Sequence, residues 1–131
     1  MPKSEQGVSP ERYQIIPRSL VFVVQGRSIL LLKGAPSKRL WANRYNGIGG
    51  HIERGEDILS GARRELVEET GLRGGELWLC GTVMVDASDQ TGVGIFVFRC
   101  DYPEGEALEP VASSEGALEW RRQGRWRQWR E

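Results

Sequence analysis

The sequence has few cysteines, a single histidine and no excess of either charge. Cys80 and Cys100 lie in apolar segments without the paired spacing of a zinc site, and a chain of 131 residues does not need disulfides to hold its fold. We therefore expect both to be buried, reduced thiols. Eighteen basic residues balance eighteen acidic ones, so the chain as a whole has no field that selects a nucleic acid, a membrane or another polyanion.

Long apolar runs are also absent. Residues 1–16 contain no apolar core of signal-peptide length, and no later run approaches the roughly 20 residues that span a bilayer. The sequence therefore predicts no membrane contact, and the cytoplasm is the expected location. The length suits one hydrophobic core, so we predict an N-terminal arm over residues 1–18 and a single domain over residues 19–131.

Short aliphatic segments on both sides of one amphipathic segment predict the fold class. The pattern over residues 57–70 is helical, with Leu59, Ala62 and Leu66 near one face, Asp57 at the start and Gly71 as the stop. One helix among about six strands indicates an α+β fold rather than alternating βαβ units. The predicted strands cover residues 20–24, 29–32, 45–48, 76–85, 92–100 and 117–121, the first two forming a hairpin.

The predicted helix carries an unusual concentration of acid. Glu65, Glu68 and Glu69 are spaced i, i+3 and i+4, so they share one face, and Glu56 comes just before the helix begins. Like charges at this spacing destabilise a helix by roughly 0.2–0.5 kcal/mol a pair, so a cation is expected among them. Carboxylate oxygens suit Mg²⁺, with Mn²⁺ as the alternative, and the planar fork of Arg64 can orient a neighbouring carboxylate.

The spacing of these residues resembles a family signature. From Gly50 the chain gives five residues, Glu56, seven residues, and then Arg-Glu-Leu-Val-Glu-Glu-Thr-Gly-Leu at 64–72. This is similar to the Nudix pattern G-x5-E-x7-R-E-U-x-E-E-x-G-U, where U is aliphatic, and every fixed position is filled. The resemblance implies a Nudix fold, a mixed β-sheet sandwiched by helices (an α/β/α sandwich). It also implies a Mg²⁺-dependent hydrolase in which water cleaves the diphosphate of a nucleotide.

The resemblance also implies roles for single residues. Gly49 would lend a backbone carbonyl to the metal, and Gly50 would line the substrate site. Lys33 would contact phosphate, or is an ordinary lysine at a strand end. Glu65 is the candidate general base of the motif; Glu115 matches a position where some members place one, and a surface loop residue is its other interpretation. The predicted catalytic residues are Arg64, Glu65, Glu68 and Glu69, and the predicted metal ligands are Gly49, Glu56, Glu65, Glu68, Glu69 and Glu115.

A second run of residues bears on the substrate. Residues 45–50, Tyr-Asn-Gly-Ile-Gly-Gly, resemble the W-N-G-x-G-G run of MutT-like Nudix members that hydrolyse purine nucleoside triphosphates, including oxidised guanine nucleotides. Asn46 offers a donor and an acceptor to a purine edge, or caps its own loop. A purine triphosphate is the leading substrate. ADP-ribose, a dinucleotide or capped RNA are the alternatives, as is a nucleotide sensor without activity. Tyr45 departs from the usual tryptophan.

The segment 120–131 is rich in arginine and tryptophan. It carries five arginines, one glutamate and three tryptophans. Stacking and charge of this kind suit single-stranded RNA. The stronger interpretation is that Trp126 and Trp129, spaced i and i+3, pack a terminal helix or the partner in a homodimer.

Overall fold

The structure of the protein is a computed structural model that describes residues 2–34, 45–103, 112–113 and 116–122. The helix and every predicted strand are confirmed in it; the strand expected over 45–48 is divided at Gly47. The elements of these ranges are a 3-10 turn (Lys3–Gln6), α1 (Ile58–Thr70), β1 (Gln14–Gln25), β2 (Ser28–Gly34), β3 (Tyr45–Asn46), β4 (Ile48–His51), β5 (Glu76–Asp86), β6 (Thr91–Asp101), β7 (Ala112–Ser113) and β8 (Gly116–Arg122).

All eight strands belong to one mixed sheet. Its order is β5-β6-β1-β2-β8-β7, with β3 on β2 and β4 on β1. β1 runs parallel to β6 and antiparallel to β2 and β4, and a two-residue turn at Gly26 and Arg27 joins β1 to β2. The α+β class is therefore confirmed. The described residues supply one helical layer of the expected α/β/α sandwich, α1, and the second layer is not among them.

The N-terminal boundary differs from the predicted one. β1 begins at Gln14 and pairs with β6 from Gln14 opposite Thr91 onward, so the arm predicted to reach residue 18 ends before the sheet starts. Pro17, which suggested a loop, lies inside β1. Its carbonyl accepts a hydrogen bond from the backbone N–H of Ile52, the residue after β4, at 3.1 Å. A proline is tolerated there because the pairing with β4 has just ended.

The core lies between the sheet and α1. Ala62 and Leu66 are fully buried against β1 and β4, and Thr70 continues this row. Leu59, predicted on the same face, is 50% exposed, because the buried row steps by four residues from Ala62 and excludes position 59. The buried cluster also contains Val21, Val23, Leu30, Ile48, Leu72, Leu77, Phe98, Cys100 and Leu118.

The two cysteines have different environments. Cys100 is buried in β6, where burial raises the pKa of its thiol. Cys80 is exposed, so the prediction that both are buried was wrong for this one. It lies at an irregularity in the pairing of β5 with β6, and β5 is the outer strand of the sheet that the described residues form. Both thiols are free.

Local chemistry sets the ends of α1. The Asp57 carboxylate accepts a hydrogen bond from the backbone N–H of Ser60 at 2.8 Å and closes the N-terminus. Gly71 adopts the left-handed conformation, with φ of 77°, and its N–H donates to the carbonyl of Val67 at 2.8 Å. No helix within the described ranges has the length and apolar character needed to cross a bilayer.

The orientation of α1 can be tested by one change made at two positions. Leu66→Ala is expected to lower the free energy of unfolding by about 2–5 kcal/mol, because it removes buried methyl groups and leaves a cavity. Leu59→Ala on the exposed face is expected to stay within about 0.5 kcal/mol of wild type. Urea unfolding measures both values. Equal losses would contradict this packing of the helix.

Candidate active site

Arg64 lies among the predicted acidic residues and contacts several at once. Its Nε and Nη2 donate to the two carboxylate oxygens of Glu56 at 3.1 and 2.8 Å. Its Nη1 donates to Glu65 Oε1 at 3.0 Å and to Glu68 Oε2 at 3.3 Å. Its Nη2 also donates to the carbonyl of His51 at 3.0 Å. The structure therefore brings Arg64, Glu56, Glu65 and Glu68 together, as the sequence predicted.

The pairing of Arg64 with Glu56 is the strongest of these contacts. Two parallel hydrogen bonds from one guanidinium to one carboxylate combine charge with fixed geometry. They lower the pKa of Glu56 to about 2, helped by a hydrogen bond from the backbone N–H of Glu53 at 2.7 Å. In return, Glu56 and then Glu65 raise the pKa of Arg64. Both partners are therefore charged at every physiological pH.

The glycine pair of β4 lies against the acidic face of α1. The N–H of Gly49 donates to Glu69 Oε2 at 3.2 Å. A Cβ on Gly50 would come within 2.5 Å of the Glu65 carboxylate, and a Cβ on Gly49 would collide with the carbonyl of Ser19. Glycine is required at position 49 because the backbone of β1 leaves no room for a Cβ there, whereas a side chain at position 50 would displace the Glu65 carboxylate. The role predicted for the Gly49 carbonyl is not tested by these contacts.

The carboxylates differ in their exposure to solvent. The Glu68 side chain is 57% exposed, whereas those of Glu65 and Glu56 are 15% and 18% exposed. Within the described part of the chain, no three acidic, histidine or cysteine side chains are already arranged around one point to hold a metal ion. The guanidinium of Arg64 lies between them instead. The donors nevertheless fit Mg²⁺, because they are hard carboxylate oxygens, and that of Glu65 occupies the space that a side chain at position 50 would take.

The predicted substrate residues lie in the neighbouring strands. Lys33 is half-buried in β2, opposite Tyr45 of β3. Asn46 is exposed, and its Oδ1 accepts from the backbone N–H of Gly47 at 2.8 Å. Its carbonyl side is thus used for capping, which was the alternative interpretation. Glu115 and the Trp126 and Trp129 side chains lie outside the described residues.

Two contributors to the site were not predicted. The carbonyl of His51 and the N–H of Glu53 help to fix Arg64 and Glu56, and both belong to variable positions of the signature. Backbone groups leave no side-chain signal in a sequence. Gly55, at φ of 87° in the turn before α1, is the one sequence feature that could have indicated a tight turn here.

The comparisons with known proteins agree with this fold. The NUDIX domain family matches residues 15–129, so the chain belongs to this family. The oxidized purine nucleoside triphosphate hydrolases of Danio rerio and Mus musculus are 37% and 33% identical to it over 103 residues, 78% of this chain. The chain spans 63% of the length of each of these relatives.

A solved structure adds support for the fold. The crystal structure of a MutT protein from Bacillus halodurans is 28% identical in sequence, with a TM-score of 0.56. The match covers 82% of this chain and 69% of that one. The mixed sheet and the helix after the glycine pair are therefore those of a Nudix fold.

The Arg64–Glu56 contact predicts a pH-dependent loss of stability. The pKa of Glu56 is about 2 in the folded protein against an ordinary value of 4.5. Its charge therefore stabilises the fold above pH 4.5, and this contribution is lost as the pH falls toward 2. Glu56→Gln is expected to be less stable than wild type at pH 7, and the difference to shrink between pH 5 and pH 3. Urea unfolding at several pH values measures it.

Glu53→Gln is the matched control. Glu53 lies 3.9 Å from Arg64, and its side chain is 70% exposed. A contact of this kind adds little to stability, so the variant should follow the wild-type profile at every pH. A Glu56→Gln variant that also followed that profile would contradict the assignment of Glu56 as the main partner of Arg64.

Proposed function

We propose that the protein is a Mg²⁺-dependent pyrophosphohydrolase. Its substrate would be a purine (deoxy)nucleoside triphosphate, oxidised forms included, and its products the monophosphate and pyrophosphate. The observation that carries the proposal is the convergence of Glu65, Glu68 and Glu69 with Arg64 beside the backbone of the glycine pair. The names of the two vertebrate relatives support the substrate class.

The carboxylates of α1 would hold the ion. A bound Mg²⁺ neutralises charge on the diphosphate oxygens and makes a water molecule more acidic. Glu65, Glu68 and Glu69 present oxygens from one face of the helix, and the Gly49 carbonyl is a further candidate ligand. For Glu65 and Glu68 to bind, their oxygens must turn from Arg64 Nη1 toward the ion. Mn²⁺ would fit the same hard oxygen donors.

Glu56 has a different part in this proposal. Both of its oxygens accept hydrogen bonds from Arg64, and one also accepts from the N–H of Glu53. It therefore keeps the guanidinium in place when Nη1 releases the other carboxylates. Arg64 is then a positioning residue, which orients the helix carboxylates by its place among them. The signature also predicts Glu56 and Glu115 as metal ligands, and both assignments stay predictions.

The reaction needs positioning and a proton acceptor. Water adds to one phosphorus of the diphosphate, the bridging P–O bond breaks, and the bridging oxygen stays with the leaving group. The proton of the attacking water passes to a carboxylate, for which Glu65 is our candidate. Its side chain is only 15% exposed, so it is better shielded from bulk solvent than that of Glu68, which is 57% exposed. Lys33 on β2 is the candidate contact for a substrate phosphate.

The metal assignment is tested by Glu68→Gln. This change removes one ligand charge from an exposed position, so we expect turnover with Mg²⁺ to fall on the order of 100-fold with little loss of folding. Pyrophosphate and phosphate release are measured across canonical and oxidised nucleoside triphosphates, ADP-ribose, dinucleotides and capped RNA. Glu11→Gln, a matched change on the exposed N-terminal segment, should behave as wild type.

The panel also decides between the possible substrates. Fastest release of pyrophosphate from purine triphosphates supports the proposal, and faster cleavage of ADP-ribose, a dinucleotide or capped RNA would replace the substrate class. An unchanged rate in Glu68→Gln would contradict the metal assignment. No turnover of any substrate by wild type would favour a nucleotide-binding sensor.

Base recognition is tested at Asn46. Asn46→Asp keeps an oxygen that can accept from the N–H of Gly47 but removes the amide donor, whereas Asn46→Ala removes both. If Asn46 reads the base, the Asp variant should lose about tenfold in kcat/KM on purine triphosphates at unchanged thermal stability. Steady-state kinetics and thermal unfolding measure these. Wild-type kcat/KM in the Asp variant would mean that Asn46 only caps its loop.

A further inference from the structure

Ser19 carries a buried hydroxyl for which the described residues offer no hydrogen-bond partner. It lies in β1 and is 3% exposed, and its Oγ has no hydrogen-bond partner among the described residues. Along the same face of β1 the next positions are Val21 and Val23, both fully buried in the core. An apolar residue would avoid the cost of burying an unsatisfied hydroxyl. The presence of serine therefore points to a partner that forms in another state of the protein.

The sheet register places this hydroxyl beside Glu65. Ser19 lies directly opposite Gly50 in the antiparallel pairing of β1 with β4, so their Cβ positions are about 4.5–5.5 Å apart on the same face. The Glu65 carboxylate lies 2.5–2.8 Å from where a Cβ on Gly50 would be. The carboxylate thus fills the place of the missing side chain, next to Ser19. On the other side, Ser19 is opposite Phe96 of β6, whose side chain offers no hydrogen-bond acceptor.

We infer that Ser19 is a positioning residue for Glu65, and that its hydroxyl donates to this carboxylate when the metal site forms. The inference rests on the proposed function. In the present arrangement Glu65 Oε1 accepts from Arg64 Nη1 at 3.0 Å. Once Glu65 turns toward an ion, one of its oxygens needs a donor from the side of the sheet, and the Ser19 hydroxyl supplies it. The ion on one side and the Ser19 hydroxyl on the other would then fix the carboxylate.

The test separates this role from a structural one. Ser19→Ala removes a buried hydroxyl that is unpartnered among the described residues, so thermal stability without metal should be equal to or above that of wild type. Loss of an outer hydrogen bond to a metal ligand weakens binding about tenfold. We expect that increase in the dissociation constant of Mn²⁺, measured by electron paramagnetic resonance of the free ion. Ser19→Thr keeps the hydroxyl and should stay within about twofold of wild type.

Thr70→Val is the matched control for a buried hydroxyl with partners. The Thr70 hydroxyl donates to the carbonyl of Leu66 at 2.6 Å and accepts from the N–H of Leu72 at 3.0 Å. Its loss should lower thermal stability and leave the Mn²⁺ dissociation constant unchanged, the reverse of the Ser19→Ala result.

Each outcome has one meaning. The inference is supported if Ser19→Ala binds Mn²⁺ more weakly than wild type while Ser19→Thr and Thr70→Val keep the wild-type affinity. Wild-type affinity in Ser19→Ala, or lower thermal stability with no change in affinity, overturns it while leaving the proposed function intact. Absence of Mn²⁺ binding by wild type contradicts the proposed function itself.

Discussion

The site depends on one guanidinium held among carboxylates. Four glutamates in one neighbourhood repel each other, and the Arg64 side chain offsets part of that repulsion by donating to three of them. It is itself fixed by Glu56 and by the carbonyl of His51. Because His51 ends β4 and Glu56 lies in the turn before α1, Arg64 links both segments to the helix. Arg64 thereby holds the carboxylates in fixed positions, and the group as a whole keeps a net negative charge.

The glycine pair makes the second half of this arrangement. β4 runs beside β1, and its glycines let α1 approach until the Glu65 carboxylate occupies the space of a side chain. Close approach gives Glu69 a backbone donor in Gly49. Ser19 lies opposite Gly50 in this pairing, and therefore next to the Glu65 carboxylate. α1, β4 and β1 therefore position the carboxylates together. A displacement of one of these elements would move the contacts that the other two make.

Local patterns predicted most of what positions the site. The helix begins after Asp57 and ends before Gly71, as the capping chemistry of these residues indicated. The residues of the signature predicted that Glu56 and Arg64 lie in one neighbourhood, and the two are in contact. The two residues whose burial was wrongly predicted depend on tertiary contacts. The exposure of Leu59 follows from how α1 meets the sheet, and that of Cys80 from the edge position of β5. The sequence near Ser19 does not predict that this residue pairs with Gly50 of another strand. A role for its hydroxyl could therefore not be predicted from the sequence.

The central claim is that these carboxylates bind a divalent ion while Glu56 keeps Arg64 in place. The most direct measurement is a crystal structure with Mn²⁺ and a non-hydrolysable purine triphosphate. Anomalous scattering then locates the Mn²⁺ ion. The account predicts an anomalous peak ligated by Glu65, Glu68 and Glu69 beside the glycine pair, with Arg64 still paired to Glu56. A peak held by other residues, or Arg64 removed from Glu56 so that Glu56 becomes the main ligand, would contradict it.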